Sequence, residues 1–294
     1  MKRRLYTLDV FTKRPFAGNA LAVVADGDGL PPARMQAIAR EMNLSETVFV
    51  QRPTNNRALA RLRIFTTLRE LPLAGHPVIG TWFLLAELGV VPAQEGEVHI
   101  LQQTGAGILP VAIRFAKGRP EMVTMTQCPA RFQRARFSRA DLAGPLGLSA
   151  ADFEPSLPLE FVSTGIANLI VPLRSRASLK KIQTNVHALH KILGRDGSMA
   201  YCFTLGSAAR AYARGMIPWA LQEDPATGSA AGSLGAYLVK HGELEPQRVL
   251  SILQGVEMGR PSDIQVQIER ADGGRLTPFV SGAAVRIFEG VLEA

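Results

Sequence analysis

Residues 70–89 read ELPLAGHPVIGTWFLLAELG, and residues 223–242 read EDPATGSAAGSLGAYLVKHG. Each stretch opens with Glu-x-Pro-x-x-Gly, continues into an apolar run with the length of a helix, and closes on a glycine. The first positions are 153 residues apart (223 − 70), and so are the last (242 − 89). One offset held over a whole motif predicts two related halves in this chain of 294 residues rather than an array of short repeats.

Two weaker similarities support the duplication. The segment GNALAVV from Gly18 resembles GIANLIV from Gly165, at an offset of 147 (165 − 18). The segments LQQTGAG and LQGVEMG place Gln103 and Gln254 at an offset of 151 (254 − 103). Any one of the three similarities could arise by chance. Three in the same order along the chain are harder to explain in that way.

Within the first half, the pattern predicts several strands and two helices. The segments with a strand pattern are residues 4–11, 20–25, 46–50 and 59–67. Residues 31–42 have apolar side chains at helical spacing, with Pro32 near the start. The run after Gly75 is apolar around most of its circumference, which is typical of an interior helix. We therefore predict an α/β (α+β) fold of two similar halves, each a roll or barrel of strands around a central helix.

The two glycines that end the repeated motif mark candidate binding positions. Gly75 and Gly228 allow a tight turn and close approach of a ligand, and His76 and Ser229 follow at or beside the N-cap. The free N–H groups and the dipole of a helix start favour a negative charge. If the halves face each other, we expect one cleft that binds a small carboxylate-bearing molecule. Alternatively, these residues only start two buried helices.

Differences between the two motifs favour a functional role. Asp224 occupies the position of Leu71, just as Ser229 replaces His76, whereas a purely structural duplication would tend to retain the same residue. Glu46 also stands alone, because its counterpart at an offset of 153 is Met199. A strand through MNLSETVFV, residues 42–50, places Glu46 among apolar side chains. Burial raises a carboxyl pKa, which suits a general acid/base. The alternative is an edge-strand glutamate that reaches solvent or pairs with an arginine.

Four of these segments resemble the signature segments of the phenazine-biosynthesis isomerase (PhzF) family. They are MNLSETVFV, RIFTTLRELPLAGHPVIG, EDPATGSAAG and LQGVEMGRPS. The resemblance implies a diaminopimelate epimerase-like fold with the active site between the halves, a homodimer, and no cofactor or metal. We place the first half at residues 1–118, with a returning strand at 279–294, and the second half at residues 119–278.

The resemblance also implies roles for individual residues. Glu46 matches the catalytic acid/base, while His76, Asp224, Gly228 and Ser229 match residues that bind or orient the substrate. The N–H groups after Gly75 and Gly228 would hold a carboxylate. The characterised phenazine enzyme isomerises trans-2,3-dihydro-3-hydroxyanthranilate by moving a proton between ring carbons. Racemases and epimerases of the same fold use two opposed cysteines at the helix starts, whereas this chain has none there.

We therefore predict a cofactor-independent isomerase that moves a proton at carbon of a small carboxylate-bearing metabolite. A catalytically silent small-molecule-binding protein of the same fold is the alternative. A hydrophobic fraction of 47%, 20% charged residues and no apolar run of about 20 residues predict a cytoplasmic protein that is not embedded in a membrane.

Three remaining features suggest other activities. The net charge of +8 and the arginine-rich segment 130–139, with two phenylalanines among its arginines, could suit single-stranded nucleic acid. We favour a solvated connector and predict no nucleic-acid partner. His187 and His190 lie one helical turn apart without a nearby carboxylate or cysteine, so we predict no metal site. Cys128 and Cys202 have no metal spacing, and we expect both to be reduced and buried.

Overall fold

The computed structural model describes residues 2–194, 198–218 and 222–294. The chain divides into two compact units, the first made of residues 1–126 and 281–294 and the second of residues 127–280. The boundary predicted from the sequence falls at residue 118, just before the strand Arg119–Thr126. That strand pairs with the strand preceding it, within the first unit.

The first unit begins with eight strands and two helices. They are β1 (Lys2–Val10), β2 (Asn19–Val24), α1 (Pro32–Met42), β3 (Glu46–Gln51), β4 (Ala60–Phe65), β5 (Glu70–Leu71), α2 (Gly75–Glu87), β6 (Gly96–Thr104), β7 (Gly107–Ala116) and β8 (Arg119–Thr126). The pairs β1–β2, β3–β4, β4–β5, β6–β7 and β7–β8 are antiparallel, whereas β2–β3 and β4–β6 are parallel. The strands and helices expected in this half are thereby confirmed.

The second unit repeats this plan with two more helices. Its elements are β9 (Arg131–Arg134), α3 (Arg139–Leu146), β10 (Glu160–Ser163), β11 (Ala167–Pro172), α4 (Arg176–Lys181), α5 (Val186–Leu193), β12 (Ala200–Leu205), β13 (Arg210–Ile217), β14 (Gln222–Asp224), α6 (Gly228–Lys240), β15 (Leu250–Gln254), β16 (Ser262–Arg270) and β17 (Leu276–Gly282). The chain closes with β18 (Ala284–Glu293), which returns to the first unit and pairs antiparallel with β1.

Strand pairing shows that the two units share one topology. The parallel pairs β2–β3 and β4–β6 correspond to β11–β12 and β13–β15. Helices α2 and α6 each have 13 residues, and both their first and last residues are 153 apart (228 − 75 and 240 − 87). The register also corrects one predicted equivalence. Arg63 and Arg214 bond the shared glutamate in the same way, which makes Ala60 the counterpart of Ala211. Gln102 lies opposite Ala60 and Ile252 lies opposite Ala211, so Thr104 and not Gln103 is the counterpart of Gln254.

Each unit wraps its strands around its own central helix. Helix α2 packs on β1, β2, β3, β7, β8 and β18, and α6 packs on β10, β11 and β16. Every residue of α2 from His76 to Ala86 is buried, as its apolar circumference predicts. Leu88, which belongs to the same apolar run, lies just past the last helical residue and is 37% exposed.

The helix starts differ slightly from the sequence prediction. The N-cap residues are Ala74 and Thr227, so Gly75 and Gly228 are the first helical residues and His76 and Ser229 the second. The backbone N–H groups of these first positions have no partner within the helix, because an α-helix bonds each N–H to the carbonyl four residues earlier.

Strand β3 is buried on both faces, which the period-2 interpretation did not foresee. Thr47 and Phe49, expected on the opposite face from Val48, are as fully buried as Val48. Phe49 packs in a core cluster with Met35 of α1. The cause is that β3 lies between β2 and β4 with α1 packed on one side, and strands covered on both faces lose the alternation of polar and apolar residues.

The repeated Glu-x-Pro motif anchors the loop before each central helix. Glu70 accepts two hydrogen bonds from Arg63 on the neighbouring strand, and Glu223 accepts two from Arg214 in the same way. The carbonyl of Pro72 accepts a hydrogen bond from the N–H of Ala106, at 3.0 Å. In the second unit the Pro225 carbonyl accepts one from the hydroxyl of Ser262, at 2.8 Å. The shared glutamate and proline of the motif are therefore structural.

None of the helices in the described ranges is long and apolar enough to cross a membrane. One expectation about the cysteines is wrong. Cys202 is buried on β12, but Cys128 is exposed, because it lies in the irregular segment between β8 and β9. Both thiols are free.

Candidate functional site

Glu46 is the first residue of β3 and lies beside the start of α2. The parallel register places it opposite Leu21 of β2. Its Oε2 is 3.3 Å from Nε2 of His76, with 16% of the glutamate side chain and 7% of the histidine side chain exposed. The two residues are 30 positions apart in the sequence (76 − 46), so only the strand arrangement of the first unit brings them together.

The other ring nitrogen of His76 also has a contact within the first unit. Its Nδ1 lies 3.5 Å from the side-chain nitrogen of Asn19, the first residue of β2, and Ala20 provides a backbone hydrogen bond. Burial removes water from the imidazole and lowers the pKa of His76 to about 3, although the Ala20 bond acts in the opposite direction. The ring is therefore neutral at neutral pH.

A neutral imidazole next to a carboxyl group can share one proton with it. Such an imidazole has one donor and one acceptor nitrogen, and the acceptor can receive the hydrogen of a protonated carboxyl. Because His76 has no positive charge, it does not offset the negative charge of an ionised Glu46. The pair is suited to take up a proton and release it again within one small, largely dry volume.

Asn19 is a site residue that the sequence analysis missed. It follows Gly18, where φ is +66° and a Cβ atom would approach the Val10 carbonyl oxygen to within about 2.2 Å. Only glycine fits such a turn, which sets the direction in which Asn19 enters β2. The repeated segment GNALAVV contained this signal, since a glycine before a polar residue in an otherwise apolar strand is unusual.

The second unit contains Asp224 within a network of hydrogen bonds. Its Oδ2 accepts a hydrogen bond from the hydroxyl of Thr227, at 2.6 Å. Its backbone carbonyl accepts one from the side-chain amide of Gln254, at 2.7 Å. Tyr201 donates to the same amide from the interior, at 2.8 Å. None of these three partners was among the predicted site residues.

Gly228 and Ser229 begin α6 in the second unit. The Gly228 carbonyl accepts a hydrogen bond from the side chain of Gln127, at 2.9 Å. The Ser229 carbonyl accepts from the hydroxyls of Thr164 and Ser233, at 3.3 and 3.1 Å. These contacts fix the carbonyl side of the first helical turn, and Ser229 itself is half-buried.

The two units differ where Glu46 and His76 occur. At the offset of 153, the place of Glu46 is taken by Met199, which is 6% exposed just before β12, and the place of His76 by Ser229. The shared scaffold thus presents a carboxyl–imidazole pair in the first unit and a hydrogen-bonded aspartate in the second.

The two phenylalanines of the arginine-rich segment 130–139 have packing roles. Lys240 lies over the ring of Phe132, 4.3 Å from its centre, and the ring of Phe137 packs edge-on against Phe161. His187 is exposed on α5. In the part of the chain that the structure describes, no group of three or more His, Cys, Asp and Glu residues is arranged to hold a metal ion.

Comparison with known proteins gives consistent results. The family model described as phenazine biosynthesis-like protein (PhzC-PhzF) matches residues 8–290. The trans-2,3-dihydro-3-hydroxyanthranilate isomerase of Pseudomonas aeruginosa is 36% identical over 290 residues, which cover 98% of each chain. A PhzF-family protein of Bacillus anthracis superimposes with a TM-score of 0.90 at 27% identity over the full length of both chains. A probable proline racemase of Agrobacterium radiobacter, at 15% identity, covers 99% of this chain and 92% of its own with a TM-score of 0.70, which establishes a shared fold alone.

Proposed function

The chain belongs to the phenazine biosynthesis-like (PhzC-PhzF) family and is an isomerase, and we propose that it moves a proton at carbon of a small carboxylate-bearing substrate, with Glu46 as the single acid/base. Its diaminopimelate epimerase-like fold, which the family resemblance implied, is confirmed by the structures it resembles. The proposal names the residues and the type of reaction within that family.

The observation that carries the proposal is the 3.3 Å contact between Glu46 and His76 at a largely buried position. The ionised carboxylate removes a proton from a substrate carbon, and the electron pair of the C–H bond moves into the neighbouring unsaturated system. The protonated carboxyl then returns the proton to a different carbon, so that substrate and product are isomers. Neutral His76 stays beside the carboxyl group and orients it for both transfers.

We extend the proposal to Asp224, Gly228 and Ser229. The first-turn N–H groups at Gly75 and Gly228 are donors, and an anion is favoured at a helix start. Each helix start would therefore favour a substrate carboxylate, which in the second unit the hydroxyl of Ser229 would also bind. Asp224 would accept a hydrogen bond from another polar group of the substrate. This assignment predicts a higher KM for D224N, because the substrate loses a hydrogen-bond acceptor.

The first experiment uses Glu46→Gln on the purified protein. The relative's substrate, trans-2,3-dihydro-3-hydroxyanthranilate, is supplied in deuterated water, and deuterium incorporation and isomer formation are followed by NMR. Loss of a general base lowers the rate by about 10²- to 10⁴-fold, and we expect E46Q to fall in that range. Incorporation at the wild-type rate would refute Glu46 as the acid/base.

A matched control comes from the same unit. Glu97 and His99 on β6 form a second glutamate–histidine pair, 3.0 Å apart, but their side chains are 49% and 71% exposed. Because that pair is solvated, E97Q should retain wild-type activity. Tight binding of the probe by the wild-type protein without any product would instead favour a silent binding protein, and a set of cyclic and amino-acid-like carboxylates would then be screened.

The proposal also covers the working state of the protein. We propose that it is a cytoplasmic homodimer that needs neither cofactor nor metal and binds no nucleic acid. Sedimentation equilibrium should give twice the chain mass of 31.8 kDa. Activity should survive dialysis against EDTA. Retention on a heparin column that weakens steeply with salt would contradict the last point.

A further inference from the structure

The side chain of Gln254 uses its whole hydrogen-bonding capacity inside the second unit. Its Oε1 accepts from the Tyr201 hydroxyl at 2.8 Å and from the backbone N–H of Thr227 at 3.1 Å. Its Nε2 donates to the Asp224 carbonyl at 2.7 Å and to the Thr227 hydroxyl oxygen at 3.0 Å. A backbone N–H can only donate and a carbonyl can only accept, so these partners fix the orientation of the amide.

This fixed amide determines the direction of the next hydrogen bond. Because the oxygen of Thr227 accepts a hydrogen from Gln254, its own hydrogen is available for the Oδ2 atom of Asp224, which lies 2.6 Å away. The hydrogen bonds therefore run in one direction, from Gln254 to Thr227 to Asp224. A hydrogen bond donated to a carboxylate stabilises its charged form and restricts its rotation.

Burial makes this arrangement stiff. Tyr201 and Gln254 are completely buried, and Thr227 is 7% exposed. Burial is also the main reason that the pKa of Tyr201 is raised well above its usual value, with the charge of Asp224 as a second cause, so the phenol remains a donor. Gly215 leaves room for the network, because a Cβ atom there would lie about 3.1 Å from the Thr227 hydroxyl oxygen and 3.2 Å from Nε2 of Gln254.

The first unit shows what the scaffold alone requires. At the position of Gln254 it has Thr104, whose hydroxyl donates to the Gly107 carbonyl at 3.4 Å and accepts from the N–H of Ala106 at 3.2 Å. The position of Asp224 is there occupied by Leu71, which has no carboxylate to orient. The series of hydrogen bonds that ends on a carboxylate is therefore found only in the unit that has Asp224, and the fold does not require it.

We propose that Gln254 and Thr227 are positioning residues for Asp224, which hold its carboxylate aimed in one direction for substrate binding. Tyr201 supports them by fixing the oxygen side of the Gln254 amide. This inference rests on the proposed function only in treating Asp224 as a substrate-binding residue. The hydrogen-bond direction stands independently of which substrate is used.

The first test compares Thr227→Val with Thr227→Ser. A hydrogen bond to a charged group contributes enough that T227V should lose about 10- to 100-fold in kcat/KM on trans-2,3-dihydro-3-hydroxyanthranilate, mostly through KM. T227S keeps the hydroxyl and should stay within about threefold of the wild type. Equal losses in both variants, or none in T227V, would overturn the inference.

A double-variant cycle separates positioning from a general structural role. If Thr227 acts through Asp224, then T227V should cost little further in a D224N background. Q254E, which cannot donate to both acceptors, should behave as T227V does. Losses that multiply in full between T227V and D224N would refute the positioning role, with melting temperatures confirming that each variant is folded.

A measurement without substrate distinguishes this inference from the proposed function. In wild-type protein labelled with ¹⁵N, the side-chain amide hydrogens of Gln254 should exchange slowly with solvent, and in T227V one of the two should exchange faster. Rapid exchange in the wild type would overturn the network whether or not the probe is turned over. A wild-type protein that shows slow exchange but no turnover would count against the proposed substrate and not against the network.

Discussion

Two opposing influences act on the protonation of the single residue His76. A carboxylate 3.3 Å away favours a protonated ring, whereas burial favours a neutral one. Burial dominates and lowers the pKa of His76 to about 3. The consequence for Glu46 is chemical, because a neutral neighbour leaves its charge available for attack on a proton. An imidazolium would have made it a weak base.

The neutral state of His76 predicts a specific pH dependence of stability. The unfolded histidine takes up a proton near its usual pKa of 6.5, and the folded one only near 3. As the pH falls from 6.5 towards 3, the unfolded state therefore binds more protons, and the free energy of unfolding should drop by up to roughly 1.4 kcal/mol per pH unit. It should not change further above pH 6.5 on this account. H76Q, which does not titrate, should flatten this part of the curve in urea melts.

The exposed His99 provides the control for that measurement. It has 71% of its side chain in solvent, so H99Q should reproduce the wild-type curve. Identical slopes for H76Q and the wild type between pH 6.5 and 3 would show that His76 is protonated in the folded protein.

At the scale of secondary-structure elements, the two Glu-x-Pro motifs form the same arginine–glutamate pair between neighbouring strands, in two different environments. The Arg214–Glu223 pair has side chains 10% and 15% exposed, whereas those of Arg63 and Glu70 are 14% and 40% exposed. Arg214 also donates to the carbonyls of Leu179 and Ile182. The same β-strand pairing thus holds a largely buried network in the second unit and a more solvated ion pair in the first.

We therefore expect the two arginines to differ in their contribution to stability. R214M leaves Glu223 and two carbonyls without their donor and should reduce the free energy of unfolding by about 3–5 kcal/mol. R63M breaks the pair whose glutamate is better solvated and should cost about 0–1 kcal/mol. Urea denaturation of both variants tests this, and equal costs would contradict the role of burial.

The turn that contacts Pro225 offers a second comparison. Gly255 has φ +76°, and a Cβ atom there would lie about 2.4 Å from the Arg260 carbonyl oxygen and 2.6 Å from that of Pro225. Gly259, four residues on, has φ +71° with nothing within 4 Å. G259A should cost only the left-handed strain, about 1–2 kcal/mol. G255A adds an overpacking cost of about 1–3 kcal/mol and should also reduce activity, because Pro225 follows Asp224. Equal melting temperatures for the two variants would refute the close approach.

Sequence patterns identified the elements better than their environments. The duplicated motif located α2 and α6 because an apolar run after Pro and Gly has a strong local signature. The sequence of β3 did not predict that both faces of the strand are buried, since that burial depends on α1 and two neighbouring strands. Likewise, the 53 residues that separate Tyr201 from Gln254 have no periodicity that would predict their hydrogen bond.

At the scale of the whole molecule, duplication explains how one scaffold supports unlike residues. Each unit has an arginine–glutamate pair and a central helix at equivalent places. The first unit has evolved Glu46 beside His76, and the second Asp224 beside Thr227. A probable proline racemase shares this fold, so the same arrangement of strands can carry different side chains.

The two cysteines, one exposed and one buried, test whether the proposed reaction proceeds without a thiol. Burial raises the pKa of Cys202 to about 12, so almost none of it is the reactive thiolate, whereas Cys128 is exposed. Iodoacetamide should therefore modify Cys128 alone in the folded protein and both cysteines in urea, as mass spectrometry would show. Activity on trans-2,3-dihydro-3-hydroxyanthranilate should survive the modification and also Cys128→Ser, because neither thiol lies at a helix start. Loss of turnover on alkylation of Cys128, with C128S also inactive, would mean that this isomerase uses a thiol and that Glu46 does not act alone.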